Sequence, residues 1–152
     1  MVNGVVANGK LDHVKSFGTR DLDNGAPVKS NTAFRIAAMA KMMTALLIVD
    51  LYDEGKLSLE APVETYVPAV KEWDYPTTDS RKITVRDLLI HSSGFIWDDP
   101  WADRQFDRTQ EELNTFLATA KPFSHAPGMK YEYSNLGYAL LGQIIENVSG
   151  ET

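Results

Sequence analysis

Lys41, Tyr133 and Asn135 are the side chains whose types and spacing can move a proton. Lys41 sits in the stretch "FRIAAMAKMMTALL", Phe34 to Leu47, whose apolar spacing predicts a helix. Position 38 lies one turn earlier on the same face, three residues before the lysine. A hydroxyl there would stand at the positive end of the helix dipole, beside an amine able to take its proton. The residue is Ala38. A lysine alone on such a helix is ordinarily explained by its stem covering apolar surface. The second signal is "YEYSNLGY", which puts Tyr133 and Asn135 two apart where an extended segment runs into a helix. Both side chains can then face one cleft. A cation beside a phenol favours the phenolate, so a tyrosine and a lysine together can act as general base and then general acid. A Tyr-x-Asn triplet by itself is more often a turn with a packed aromatic.

These residues need elements to hold them. Ile36, Met39, Met42, Met43, Leu46, Leu47 and Leu51 recur at helical spacing until Gly55, a plausible stop. Met39, Met42 and Met43 are read as adaptable core packing, and Met42 to Val49 as a core helix, far too short to cross a bilayer. Upstream, Val5 to Ala7 and Leu11 to Phe17 are β-prone runs joined by Asn8-Gly9, which predicts a hairpin with a type I′ turn. The segment from Asp21 to Asn31 is turn-rich. Downstream, "KLSLEAPVETYVP" reads as a connection and "KEWDYPTTDSRK" as a polar loop. Thr84 caps a helix through "VRDLLIHSSG" to Gly94, and Thr109 opens "QEELNTFLATA", with Glu112 placed for a capping box. A Pro-Gly turn and an extended piece lead into the apolar helix "LGYALLGQIIENVSG".

The 152 residues, 43% hydrophobic and 24% charged, suffice for one core. A net charge of -6 without any basic run argues against bulk electrostatic binding of nucleic acid. With no cysteine, disulfides, thiolate nucleophiles and cysteine metal sites are excluded, while compartment stays open. His13, His91 and His125 lack ligand spacing, so no metal and no cofactor is expected. The N-terminus "MVNGVVANGK" has no signal-peptide pattern, which suggests a leader lost or not included. Asp98, Asp99 and Asp103 beside Trp97 and Trp101 read as a solvated loop, with a sugar-binding lip the less favoured reading. Phe34, Trp73 and Tyr75 are weak candidates to line a pocket.

Several ordered blocks together resemble the serine β-lactamase and penicillin-binding-protein superfamily, in its class C β-lactamase, DD-peptidase and esterase branch. "NGKLDHVKSFGTRDLDNGAPVKSNTAFRIA" is similar to that family's strand pair and approach to the nucleophile. "ITVRDLLIHSSGF" resembles its "LLTHTSG" segment, and "APGMKYEYSNLGYALLGQIIENVSG" its Tyr-x-Asn region. The resemblance runs over nearly the whole chain. It implies an α+β, β-lactamase/transpeptidase-like fold in which residues 1–36 form a hairpin and connection and residues 37–152 a mainly helical part. The implied chemistry is acyl transfer: a serine attacks a lactam, ester or D-Ala-D-Ala carbonyl, and backbone N–H groups hold the oxyanion. By position, Lys41 matches the motif lysine, Tyr133 the general base, and Asn135 the residue that holds lysine and substrate amide. The N–H of residue 38 would be one oxyanion donor, and His91, Ser92, Ser93 and Gly94 match a structural segment.

Two departures bear on function. The serine position is Ala38, Ala40 replaces the usual hydroxyl before the lysine, and no serine in the chain has a lysine three positions later. The family's third motif, a Lys- or His-containing triplet on a strand edge, is also missing. Loss of a serine nucleophile costs on the order of a millionfold in turnover, or ~8 kcal/mol of barrier. An alanine there leaves helix propensity intact, whether it arose by natural loss or by replacement. The expectation is therefore a β-lactamase-related serine hydrolase acting on a small-molecule or peptide acyl substrate and disabled at Ala38. The alternative is a non-catalytic binding protein that keeps the pocket for peptidoglycan-like or ester ligands. Because two strands make a marginal sheet, the sequence also predicts a C-terminal part or a partner chain to complete it.

Overall fold

Asn8 and Gly9 take φ angles of 51° and 73°, the left-handed pair that a two-residue type I′ turn requires. They join β1 (Val2–Ala7) to β2 (Lys10–Ser16) in an antiparallel pair. The hairpin is where the sequence predicted it, with β1 reaching back to Val2. The structure, a computed structural model, describes residues 1–97 and 109–151; the loop acids Asp98, Asp99 and Asp103, and Trp101, lie outside the described residues. The chain divides into two compact units, Met1–Ala37 and Ala38–Thr152. In the first, a bulge between Val5 and Val6 shifts the register, and Val5, Val6, Leu11 and Val14 are all exposed.

The second unit is helical. A 3-10 turn over Ala37–Met39 runs into α1 (Ala40–Asp53). The helix stops where predicted. Lys56 N–H donates to the Leu51 carbonyl and Gly55 N–H to that of Tyr52, both at 2.9 Å, with Gly55 left-handed at φ 71°. This is a Schellman stop, in which glycine avoids the Cβ penalty. α1 packs against α4 (Asn135–Ser149), and Ile48 and Leu51 share one core with Leu140, Leu141 and Ile144.

The methionines correct the expectation of core packing. Met39, Met42 and Met43 are 65%, 60% and 51% exposed, and Leu46 and Leu47 are exposed with them. Apolar residues occupy the whole circumference of α1, a pattern that belongs to a helix covered on every side. Among the described residues only the Ile48–Leu51 face is covered. Periodicity finds such a helix but does not say which of its faces meets α4.

α2 (Val85–Leu89) opens as predicted, with a capping box between Thr84 and Asp87. It ends well before Gly94, against expectation. Ile90 leaves the helix, and His91 takes the left-handed position at φ 57°, while Ser92 N–H donates to the Asp87 carbonyl at 2.8 Å. A helix end of this type normally has glycine, since a Cβ there costs roughly 1 kcal/mol; no glycine or proline marks the stop, so the pattern ran on. Asp87 is buried at 4% exposure. Its carboxylate takes Arg81 Nη1 at 2.5 Å and Nη2 at 2.8 Å, the Thr84 N–H and hydroxyl at 2.9 Å each, and the Ser92 hydroxyl at 2.9 Å.

α3 (Gln110–Thr119) carries the predicted capping box: Thr109 N–H donates to Glu112 Oε2 at 2.8 Å and Glu112 N–H to Thr109 Oγ1 at 3.3 Å. Trp73 Nε1 donates to the Leu117 carbonyl at 2.6 Å, and its ring meets Phe95 and Phe123 edge-on. Trp73 is therefore a core residue and not a pocket wall. Tyr75 stacks on Phe123 and accepts the Ile83 N–H. Gly94 allows the chain to close here: a Cβ at that position would stand 2.3 Å from the His125 carbonyl oxygen. The pairing of Phe95 with Phe123 then sends the chain toward Tyr133.

Candidate functional site

α4 begins where an extended segment meets a capping serine. Ser134 Oγ accepts the Gly137 N–H at 3.1 Å, which fixes the first turn and places Asn135 as its first, buried residue. The packing of α1 on α4 brings a residue from far upstream to this point. Lys41 Nζ donates a 2.5 Å hydrogen bond to Asn135 Oδ1. The same ammonium lies over the Tyr133 ring at 4.9 Å from its centroid and over the Tyr138 ring at 5.5 Å, distances at which a ring face attracts a cation. Three of the four residues singled out in the sequence thus converge on one ammonium group.

Ala38 lies in the 3-10 turn that opens α1, exposed and three residues before Lys41. It offers no hydroxyl. Ala37, just before it, takes φ 48°, a left-handed value uncommon for a residue with a Cβ and typical of constrained functional turns.

Sequence reasoning missed Tyr138. Its spacing was the available signal, since it lies three residues beyond Asn135 and hence on the same face of α4. Its hydroxyl donates to the Leu89 carbonyl at 3.1 Å. Burial pushes the Tyr138 phenol up, with Tyr133 and Tyr131 adding to the shift, so it stays protonated and holds α2 to α4. His91 also reaches the site, with its ring 4.6 Å from that of Tyr133 and 5.1 Å from that of Tyr138.

A second grouping has the residue types of a relay but not its geometry. Ser124 Oγ is 2.7 Å and Glu132 Oε2 3.4 Å from the same atom, His125 Nδ1. A proton relay needs hydroxyl and carboxylate on opposite ring nitrogens. Among the described residues no cluster of three or more His, Asp or Glu side chains can hold a metal ion, and no helix is long and apolar enough to cross a membrane.

The β-lactamase family model matches residues 1–152. The chain belongs to this family. It is 34% identical over 150 residues to Protein flp of Staphylococcus aureus (strain NCTC 8325 / PS 47), covering 97% of this chain and 30% of that protein. It is 30% identical over 151 residues to the D-alanyl-D-alanine-carboxypeptidase/endopeptidase AmpH of Escherichia coli (strain K12), covering 97% of this chain and 38% of that one. Among solved structures, the octameric penicillin-binding protein homologue from Pyrococcus abyssi superposes with a TM-score of 0.78 at 31% identity, covering 99% of this chain and 35% of that one. The fold is β-lactamase/transpeptidase-like, as the sequence predicted. The chain spans roughly a third of the length of these relatives.

Proposed function

We propose that the cleft at Ala38, Lys41, Tyr133 and Asn135 is the acyl-transfer site of a β-lactamase-related serine hydrolase whose nucleophile position is occupied by alanine. The observation that carries this reading is the convergence of the Asn135 amide and the Tyr133 ring on Lys41 Nζ, from elements separated by more than half the chain. The name of the AmpH relative favours an acyl substrate of the D-alanyl peptide class, with β-lactams and simple esters sharing the same chemistry.

With serine at position 38, the hydroxyl attacks the substrate carbonyl carbon and gives its proton to the Tyr133–Lys41 pair. The pair then protonates the leaving amine or alkoxide. Asn135 holds the ammonium in place through its Oδ1. The N–H of residue 38, at the start of α1, is one donor to the oxyanion. With Ala38 no covalent step can begin, and what remains is a pocket that binds the acyl ligand without turnover. The absence of a hydroxyl at position 38 favours a second reading, a non-catalytic binding protein for peptidoglycan-like peptides or esters.

The deciding experiment is Ala38→Ser in the protein, challenged with a fluorophosphonate and with a penicillin probe. Covalent labelling at position 38 supports the disabled hydrolase. Saturable ligand binding with no labelling by either probe supports the binding protein and sinks the hydrolase.

A further inference from the structure

α2 stops at a residue type that the backbone does not favour. His91 occupies the left-handed position at φ 57°, although the same chain uses glycine for the left-handed ends of α1 and α4. A strained non-glycine residue is a reason to ask what its side chain holds. The His91 carbonyl accepts the Glu132 N–H at 2.8 Å, and its ring Nδ1 accepts the Ser134 N–H at 3.2 Å. Those two N–H groups flank Tyr133 on the extended segment. Between them the imidazole lies 4.6 Å from the Tyr133 ring at 35° and 5.1 Å from the Tyr138 ring at 33°, with Tyr131 edge-on at 5.6 Å. The turn is itself anchored, since the Ser92 hydroxyl donates to buried Asp87.

We propose that His91 is a positioning residue for Tyr133 and Asn135: its carbonyl and its ring nitrogen grip alternate backbone N–H groups, and its ring sets the plane of the phenol beneath Lys41. Glycine could make the turn and the carbonyl bond, but none of the ring contacts. A ring nitrogen that accepts an N–H carries no proton, so the neutral imidazole holds its hydrogen on Nε2. The role of His91 rests on the reading of Lys41, Tyr133 and Asn135 as an acyl-transfer site. Its geometric part can be measured without that reading.

The test compares His91→Ala, His91→Asn and His91→Phe, each in the protein with Ala38 and in the protein carrying Ala38→Ser. In the Ala38 chain, NMR reads the ring-nitrogen shifts of His91, the exchange rate of the Ser134 amide and the ring shifts of Tyr133. Position 91 should show an unprotonated Nδ1, and His91→Ala should speed Ser134 exchange and move the Tyr133 shifts. Asparagine tolerates the left-handed region and carries Oδ1 close to the place of Nδ1, so it should restore Ser134 protection; phenylalanine should not. In the Ala38→Ser protein, His91→Ala should slow acylation by penicillin by about tenfold to a hundredfold per folded molecule, as displacement of a catalytic group does. The noncovalent affinity for the probe should change less than threefold, by the same argument that the loss falls on orientation. A Ser134 amide and Tyr133 ring unmoved by His91→Ala, or an asparagine variant no better than alanine, overturns the positioning role. If Ala38→Ser with His91 intact is never labelled, the acyl-transfer reading fails, and the NMR comparison alone decides the positioning. Should the alanine variant not fold, the asparagine and phenylalanine variants provide the same contrast.

Discussion

Lys41 Nζ and Asn135 Oδ1 are joined by a 2.5 Å hydrogen bond between the first turn of α1 and the first turn of α4. The bond has a charged donor, and such bonds contribute about 1.5–3 kcal/mol when their surroundings are dry. Lys41 is only half-buried, which places the expected loss for Asn135→Ala near the lower limit, ~1.5 kcal/mol in urea unfolding at unchanged m-value. In an Ala38→Ser background the same substitution should also slow acylation by at least ~10-fold, because the ammonium loses the group that orients it. A variant as stable as the parent would show that the bond holds nothing.

Tyr133 and Tyr138 both present a ring to Lys41, but their hydroxyl groups differ in what they are expected to do. The Tyr138 hydroxyl is committed to the Leu89 carbonyl, and burial keeps it protonated. Tyr138→Phe should therefore cost ~1 kcal/mol of stability through the lost hydrogen bond. Tyr133→Phe keeps the ring face over which the cation sits and removes the proposed base. In the Ala38→Ser protein it should reduce the acylation rate by ~10²–10⁴-fold with little change in stability. The reverse pattern, rate loss at 138 and stability loss at 133, would move the base role from Tyr133 to Tyr138.

The sequence made these local choices legible wherever a residue type dictates a backbone state. Asn8-Gly9 could hardly make anything but a tight left-handed turn, and Thr109 with Glu112 specified a helix start through two reciprocal bonds. Tyr133 and Asn135 were visible because their spacing straddles a strand-to-helix junction. What the sequence hid depends on tertiary partners. His91 ends α2 in a conformation that histidine does not prefer, so a propensity argument carries the helix onward to Gly94. The methionines of α1 read as core because they are apolar at helical spacing, yet α4 covers a different arc. Tyr138 was one turn from Asn135 in plain view, but its hydroxyl partner, the Leu89 carbonyl, is fixed only by packing.

The two faces of α1 should respond differently to substitution. Ile48 has no exposed surface and touches the core shared with α4, so Ile48→Ala should destabilise by about 2–5 kcal/mol. Met42 is open to solvent, and glutamine has nearly the same helix propensity. Met42→Gln should change stability by less than ~0.5 kcal/mol. Thermal unfolding of both variants checks the assignment of faces, and a large loss at Met42 would mean that this face is covered in solution.

Asp87 gives the protein a defined acid dependence. Burial by itself pushes this carboxyl up, but the bonds from Arg81, the Thr84 N–H, the Ser92 hydroxyl and the Thr84 hydroxyl outweigh it and hold the group below the ordinary carboxylate range. Its folded value thus lies below its unfolded one, near 3.9. The stabilisation is then complete above about pH 4 and is lost as pH falls through the lower folded value. Asp87→Asn should remove that part of the slope, leaving a curve of stability against pH that is flatter below about pH 4. At neutral pH it should cost about 2 kcal/mol, less than the 3–5 typical of a broken buried pair, because Arg81 is 51% exposed and water can solvate its guanidinium. Urea unfolding at a series of pH values between about 2.5 and 7 separates the two effects. An asparagine variant with the parent's full acid slope would place the titrating group elsewhere.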